Sequence, residues 1–284
     1  SLNVRVFDAL SAGAVDFVRK PDAESNMQKD AFLAKVLAKL TIASASHVRL
    51  AAPQASAAAG TGVPVRRNVS SGLSGAAAPG AAPAARALAP SKFGPGANEK
   101  IIAIGASTGG TEAILEVVRQ FPANMPGVVI TQHMPAGFTA MYAERLNRLC
   151  KMEVREAKNG DRVQPGLALL APGGLQMRVV RIGMGYAVQC VPGDKVNGHC
   201  PSVDVLFDSV ANLVKDKAIG VILTGMGADG AAGLLRMRKN GAYTIGQDRE
   251  SCVVYGMPME AYKIGAVCMQ SSLSSIPQAV FAKL

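Results

Sequence analysis

An α/β domain built on a doubly wound, mainly parallel sheet flanked by helices, with a small antiparallel edge hairpin, is the fold class this sequence predicts. Three observations predict it. From Lys100 onward, short β-branched apolar runs alternate with stretches whose apolar residues recur at helical spacing. Several of those runs end in Gly-rich turns that pass directly into a helix pattern. Hydrophobic residues make up 49% of the chain and charged residues 18%, with 30 Gly and no Trp, a composition suited to helices packed closely on a parallel sheet.

The elements follow in order. Lys100-Ile-Ile-Ala-Ile-Gly105-Ala106-Ser107-Thr108-Gly109-Gly110 reads as strand, sharp turn and helix start. Gly127 to His133 is a second buried strand ending in a histidine, and a helix is expected from about Thr139 to Cys150. Met152–Ala157, Gly166–Ala171, Leu175–Ile182 and Tyr186–Val191 read as short strands separated by Gly, Pro and Asp turns. Pro201-Ser202-Val203-Asp204 opens a helix with Ser202 placed as its N-cap. Ala218 to Thr224 is a core strand running into Gly225-Met226-Gly227-Ala228-Asp229-Gly230, followed by a helix from Ala231 to Lys239. A strand from Ala242, a helix near Pro258–Ile264 and a closing helix at Ile276–Phe281 complete the domain.

The 284 residues divide into residues 1–40, a segment too short for a domain; 41–98, a flexible linker; and 99–284, the α/β domain. The linker is rich in Ala, Ser, Gly and Pro and buries too little apolar surface to repay its ordering entropy. Within residues 1–40, Gly13-Ala-Val15-Asp16-Phe17-Val18-Arg19-Lys20-Pro21 precedes an amphipathic helix from Met27 to Leu40 with Phe32, Leu33, Val36, Leu37 and Leu40 on one side. This pattern resembles the last strand and helix of a response-regulator receiver domain. The resemblance implies that Lys20 contacts the phosphoryl group of such domains, while the part that would carry the acceptor aspartate is not in this sequence.

The formal net charge of +10 does not indicate nucleic acid, because half of it lies in the linker, which holds Arg49, Arg66, Arg67, Arg86 and Lys92 and no acid. No apolar run reaches the ~18 residues of a membrane span. The five cysteines are scattered without a C-x-x-C pair, as expected of reduced thiols in a cytoplasmic protein.

Chemistry is concentrated where three predicted strands end. Gly105-Ala106-Ser107-Thr108-Gly109 fits the G-x-S-x-G elbow that exposes a serine hydroxyl at a strand's carboxyl end. Ser107, His133 and Asp229 are the residue types of a hydroxyl nucleophile, a general base and an orienting carboxylate. Asp229 equally suits the N-cap of its own helix. His199, in the turn-rich loop before Pro201, is the competing base, with Asp161 or Asp194 as its acid. A metal at His199-Cys200 lacks a second pair of ligands at a workable spacing.

Taken in this order, Ile-Gly105-Ala-Ser107-Thr-Gly-Gly, Gln132-His133-Met-Pro, Cys200-Pro-Ser-Val-Asp204 and Leu223-Thr-Gly-Met226-Gly-Ala-Asp229-Gly closely resemble the chemotaxis protein-glutamate methylesterase/glutamine deamidase family, CheB. The resemblance spans Glu99 to Leu284. It implies a Ser107, His133, Asp229 triad, oxyanion donors at the Thr108 and Met226 backbone amides, and no metal or cofactor. It also implies methyl-accepting chemoreceptors as substrates, a chemotaxis histidine kinase as phosphodonor for a full-length form, and a receiver that covers the catalytic face until phosphorylation loosens it. A form without the acceptor aspartate is then expected to be unswitched, with unrestrained basal activity. Two readings of other classes are a serine esterase that uses His199 and a non-catalytic regulatory module.

Overall fold

The computed structural model describes residues 6, 9, 12, 14–18, 29–45 and 99–284. Helix α1 spans Lys29–Ala45. The domain that follows is β1 (Ile101–Ala106), α2 (Gly110–Val118), β2 (Gly127–Gln132), α3 (Phe138–Leu149), β3 (Glu153–Glu156), β4 (Arg162–Val163), β5 (Leu167–Leu170), β6 (Gln176–Ile182), β7 (Gly185–Val191) and α4 (Val203–Leu213). It closes with β8 (Ala218–Ile222), α5 (Ala231–Lys239), β9 (Tyr243–Gln247), α6 (Met257–Lys263), β10 (Met269–Ser271) and α7 (Ile276–Phe281).

The main sheet has seven strands in the order β10-β9-β8-β1-β2-β5-β3, and every pairing is parallel. Strand β1 explains why. Its side chains alternate between two apolar layers, so Ile102, Ile104 and Ala106 join Ile114, Val118 and Tyr142 on one face. Ile101 and Ala103 join Leu206, Phe207, Leu234 and Met237 on the other. A run that is apolar on both faces needs helices on both, which right-handed crossovers between parallel strands supply. From β1 the chain passes to β2, crosses to β3 at the edge and comes back to lay β5 between them, then returns to place β8 on the other side of β1 and continues to β9 and β10. That reversal puts the carboxyl ends of β1 and β8 at the switch point of the sheet, where open α/β folds form their clefts.

The antiparallel component is a separate three-stranded sheet in the order β4-β7-β6, joined by the β6–β7 hairpin. Met177, Val179, Val188 and Cys190 fasten it to the α4 side of the core.

Helix α1 extends to Ala45, five residues into the stretch read as linker. Its Leu33, Leu37 and Leu40 are exposed, so among the described residues nothing covers that part of the expected apolar face. Val6 and Phe17 pack instead against the domain core, with the Phe17 ring 4.8 Å from Phe138. Lys20 and residues 46–98 lie outside the described residues.

Candidate active site

Ser107 leaves the carboxyl end of β1, the central strand. Its amide donates to the Thr224 carbonyl at 3.0 Å, and its own carbonyl accepts from Gly110 N at 2.7 Å as α2 begins. Gly109, at φ 77°, makes the left-handed step into the helix that a side chain would oppose. Gly225, at the end of the β8 strand, lies so close that an added Cβ would stand 2.7 Å from Ser107 Cβ and would also collide with Met257 Sδ. The nucleophile candidate is therefore gripped from both neighbouring loops.

His133 follows β2, directly beside this turn, because Ala106 pairs with Gln132 in the parallel register and His133 N donates to Ala106 O at 3.1 Å. The Gln132 amide nitrogen donates to the carbonyls of both Ser107 (2.8 Å) and His133 (3.3 Å), tying the two turns together. The ring is 6% exposed, and its Nε2 meets Asp229 Oδ2 at 2.7 Å.

Asp229 is 2% exposed and does not cap its own helix; Gly230 is the N-cap of α5. It sits instead at the amino end of α4, where Oδ2 accepts from Val203 N (2.7 Å) and Oδ1 from Ser202 Oγ (2.7 Å), Asn197 Nδ2 (2.8 Å) and Asp204 N (3.3 Å). Burial works against its charge, but the bonds from His133, Asn197 and Ser202 outweigh it and hold the carboxyl well below the usual carboxylate range. An ionised carboxylate only accepts hydrogen bonds, so His133 Nε2 must carry the proton it shares with Asp229. His133 Nδ1 is buried and has no hydrogen-bond partner among the described residues.

The loop before α4 carries the parts that the sequence reading missed. Asn197, in the left-handed region at φ 54°, bridges Asp229 and Asp204, its Nδ2 also meeting Asp204 Oδ2 at 2.7 Å. Burial raises the Asp204 pKa, and Gly233 N donates to its other oxygen. Ser202 does cap α4, accepting from Val205 N at 3.4 Å, but its hydroxyl hydrogen goes to Asp229. An Asn-Gly pair inside a loop and a lone Gln closing an apolar strand were the available signals.

His199, the competing base, lies flat on His133, with ring centroids 3.6 Å apart and planes 7° from parallel. Among the described residues no carboxylate hydrogen-bonds to it. Asp161 pairs with Arg155 at 2.7 Å, and Asp194 offers its backbone carbonyl to Gln176. The Thr108 and Met226 amides, next in the chain to Ser107 and Gly225, donate to no acceptor among the described residues. Thr108 is otherwise fixed by Thr224 Oγ1 donating to its carbonyl at 3.0 Å. The N-terminal segment reaches this rim, where Thr108 Oγ1 donates to Asp16 Oδ2 at 3.1 Å and Lys39 pairs with Asp16 at 2.6 Å.

Fold and site together define a class, the hydrolases built on an open α/β sheet, here with a strand-end serine turn beside a buried imidazole that is paired to an ionised carboxylate. Comparison with known proteins makes this specific. The family model described as CheB methylesterase matches residues 102–280, and the chain belongs to that family. It is 50% identical over 281 residues to the protein-glutamate methylesterase/protein-glutamine glutaminase 2 of Syntrophomonas wolfei, covering 99% of this chain and 73% of that one. Against the corresponding protein of Syntrophotalea carbinolica it is 51% identical over 269 residues, covering 95% of this chain and 69% of the relative. The crystal structure of the Thermotoga maritima CheB methylesterase catalytic domain matches with a TM-score of 0.64 at 35% identity, covering 65% of this chain and 98% of that one.

Proposed function

We propose that this chain is a protein-glutamate methylesterase that hydrolyses glutamate methyl esters on the cytoplasmic helices of chemoreceptors, and deamidates particular glutamines, through an acyl-enzyme on Ser107. The observation that carries the reading is the open lone pair of His133 Nδ1 on an imidazole whose other nitrogen is fixed by ionised Asp229. Ser107 Oγ bonds to the ester carbonyl carbon as its proton passes to His133 Nδ1, and Asp229 steadies the resulting imidazolium. The Thr108 and Met226 amides donate to the oxyanion. The carbon to methoxyl bond then breaks, the proton returns to the leaving oxygen and methanol departs. Water, giving its proton to the same imidazole, attacks the acyl-enzyme and frees glutamate; a glutamine side chain loses ammonia by the same route.

No metal or cofactor takes part in these steps. Residues 1–40 are the end of a receiver, with Lys20 as its phosphoryl contact and a histidine kinase as phosphodonor where the rest of that domain is present. The working compartment is the cytoplasm, and among the described residues no helix is long and apolar enough to cross a membrane.

The test is methanol release from methylated receptor membranes. Ser107→Ala and His133→Ala are expected to lower kcat by roughly 10³-fold or more. Release by the parent no greater than from membranes alone would leave the non-catalytic module as the better reading, and unchanged release by Ser107→Ala would move the nucleophile away from Ser107.

A further inference from the structure

His199 takes no part in the chemistry just described, yet it is built into the site. Its backbone is locked by reciprocal hydrogen bonds with Val196 at 2.9 and 3.0 Å, and Gln176 Nε2 donates to its carbonyl at 3.2 Å. The same loop supplies Asn197 and Ser202 to Asp229. The ring covers one whole face of the His133 imidazole at 3.6 Å and 7°.

Face-to-face contact at this range is a poor arrangement for two uncharged aromatic rings, which prefer offset or edge-on packing. It becomes favourable when one ring turns cationic, because the partner's electron-rich face then attracts the charge. We propose that His199 is a positioning residue whose π-face holds the plane of His133 and stabilises the imidazolium that forms as the serine is deprotonated. The contact strengthens on passing from ground state to transition state, which is the kind of interaction that raises kcat.

The platform works only while His199 is uncharged. Burial, then the neighbouring His133 and Lys195, push its pKa down to about 4 against the opposing pull of Asp229, so the ring is neutral at physiological pH. Protonated, it would set two cations face to face.

This inference rests on the assignment of His133 as base, and the variants separate the two. His199→Leu fills the space without a π-face, whereas His199→Phe keeps a flat ring and cannot carry a proton. Methanol release from methylated receptor membranes is expected to fall about 10- to 30-fold in kcat for His199→Leu, with KM within about twofold. His199→Phe is expected to stay within about threefold of the parent, with near-ultraviolet circular dichroism confirming native packing in both. Full activity in folded His199→Leu overturns the proposal, as does a His199→Phe as inactive as Ser107→Ala, which would make His199 a proton carrier. If Ser107→Ala or His133→Ala retains activity, the functional reading itself has failed, whatever the His199 variants do.

Discussion

Replacing Asp229 with Asn gives the sharpest test of the site's electrostatics, because the structure dictates what an amide meets there. Five donors converge on the carboxylate: His133 Nε2 and Val203 N on one oxygen, Ser202 Oγ, Asn197 Nδ2 and Asp204 N on the other. An asparagine satisfies only one side. With its oxygen toward His133, its amino group faces Asn197 and the Asp204 amide, and only the Ser202 hydroxyl can turn to accept. With its amino group toward His133, it opposes Val203 N and forces the imidazole to carry its proton on Nδ1, removing the lone pair assigned to the base in the proposed mechanism.

At about 1.5–3 kcal/mol for each charge-assisted bond, and with two left unmatched, a destabilisation of roughly 3–6 kcal/mol is expected at pH 7. The kcat loss is expected to be about 10³- to 10⁴-fold. The stability difference must also depend on pH in one direction. A carboxylate held below its unfolded value contributes fully above that value, near ~3.9 for Asp, and its contribution is lost as pH falls toward the folded value. Urea denaturation of parent and Asp229→Asn at pH 7 and at pH 3 should therefore show a gap that narrows in acid. A gap independent of pH, or more than about a tenth of parental methanol release, would refute the reasoning.

Two further outcomes are expected. Gly225→Ala pushes a methyl group into Ser107 Cβ and Met257 Sδ, and displacing the Ser107 turn should cost about 10²-fold in kcat while the thermal midpoint falls by only a few degrees. Asp16→Ala removes the acceptor that Thr108 Oγ1 uses at the rim; the loss of one partly buried hydrogen bond should loosen the N-terminal segment and raise kcat/KM for receptor membranes by about two- to tenfold.

The domain's layers were legible because they rest on local pattern. The alternation of Ile101 to Ala106 between two apolar faces and the helix at Ala231–Lys239 follow from spacing alone. Strand-end placement likewise brought Ser107, His133 and Asp229 to one edge. What the sequence could not resolve is contact between segments remote in the chain. Asp229 suited an N-cap, and it does meet a helix terminus, but that of α4, whose start lies 26 residues upstream. His199 is a plausible base by residue type, and only tertiary packing turns its ring flat onto His133. The apolar positions of α1 predicted a covered face, yet Leu33, Leu37 and Leu40 are exposed among the described residues, since periodicity names a face without naming what lies on it.

The return of the chain to the middle of its own sheet governs when the site comes into being during synthesis. Strand β1 is central, but the partner on its Ser107 to Thr224 side is β8, which follows after the whole of β2 to α4 has been made. Until Ala218–Ile222 emerges, the strand that leads to Ser107 keeps an unpaired edge, and neither Gly225 nor Asp229 is present to shape the surroundings of that turn. The segment from Ala218 onward thus both closes the sheet and supplies the two residues that complete the cleft.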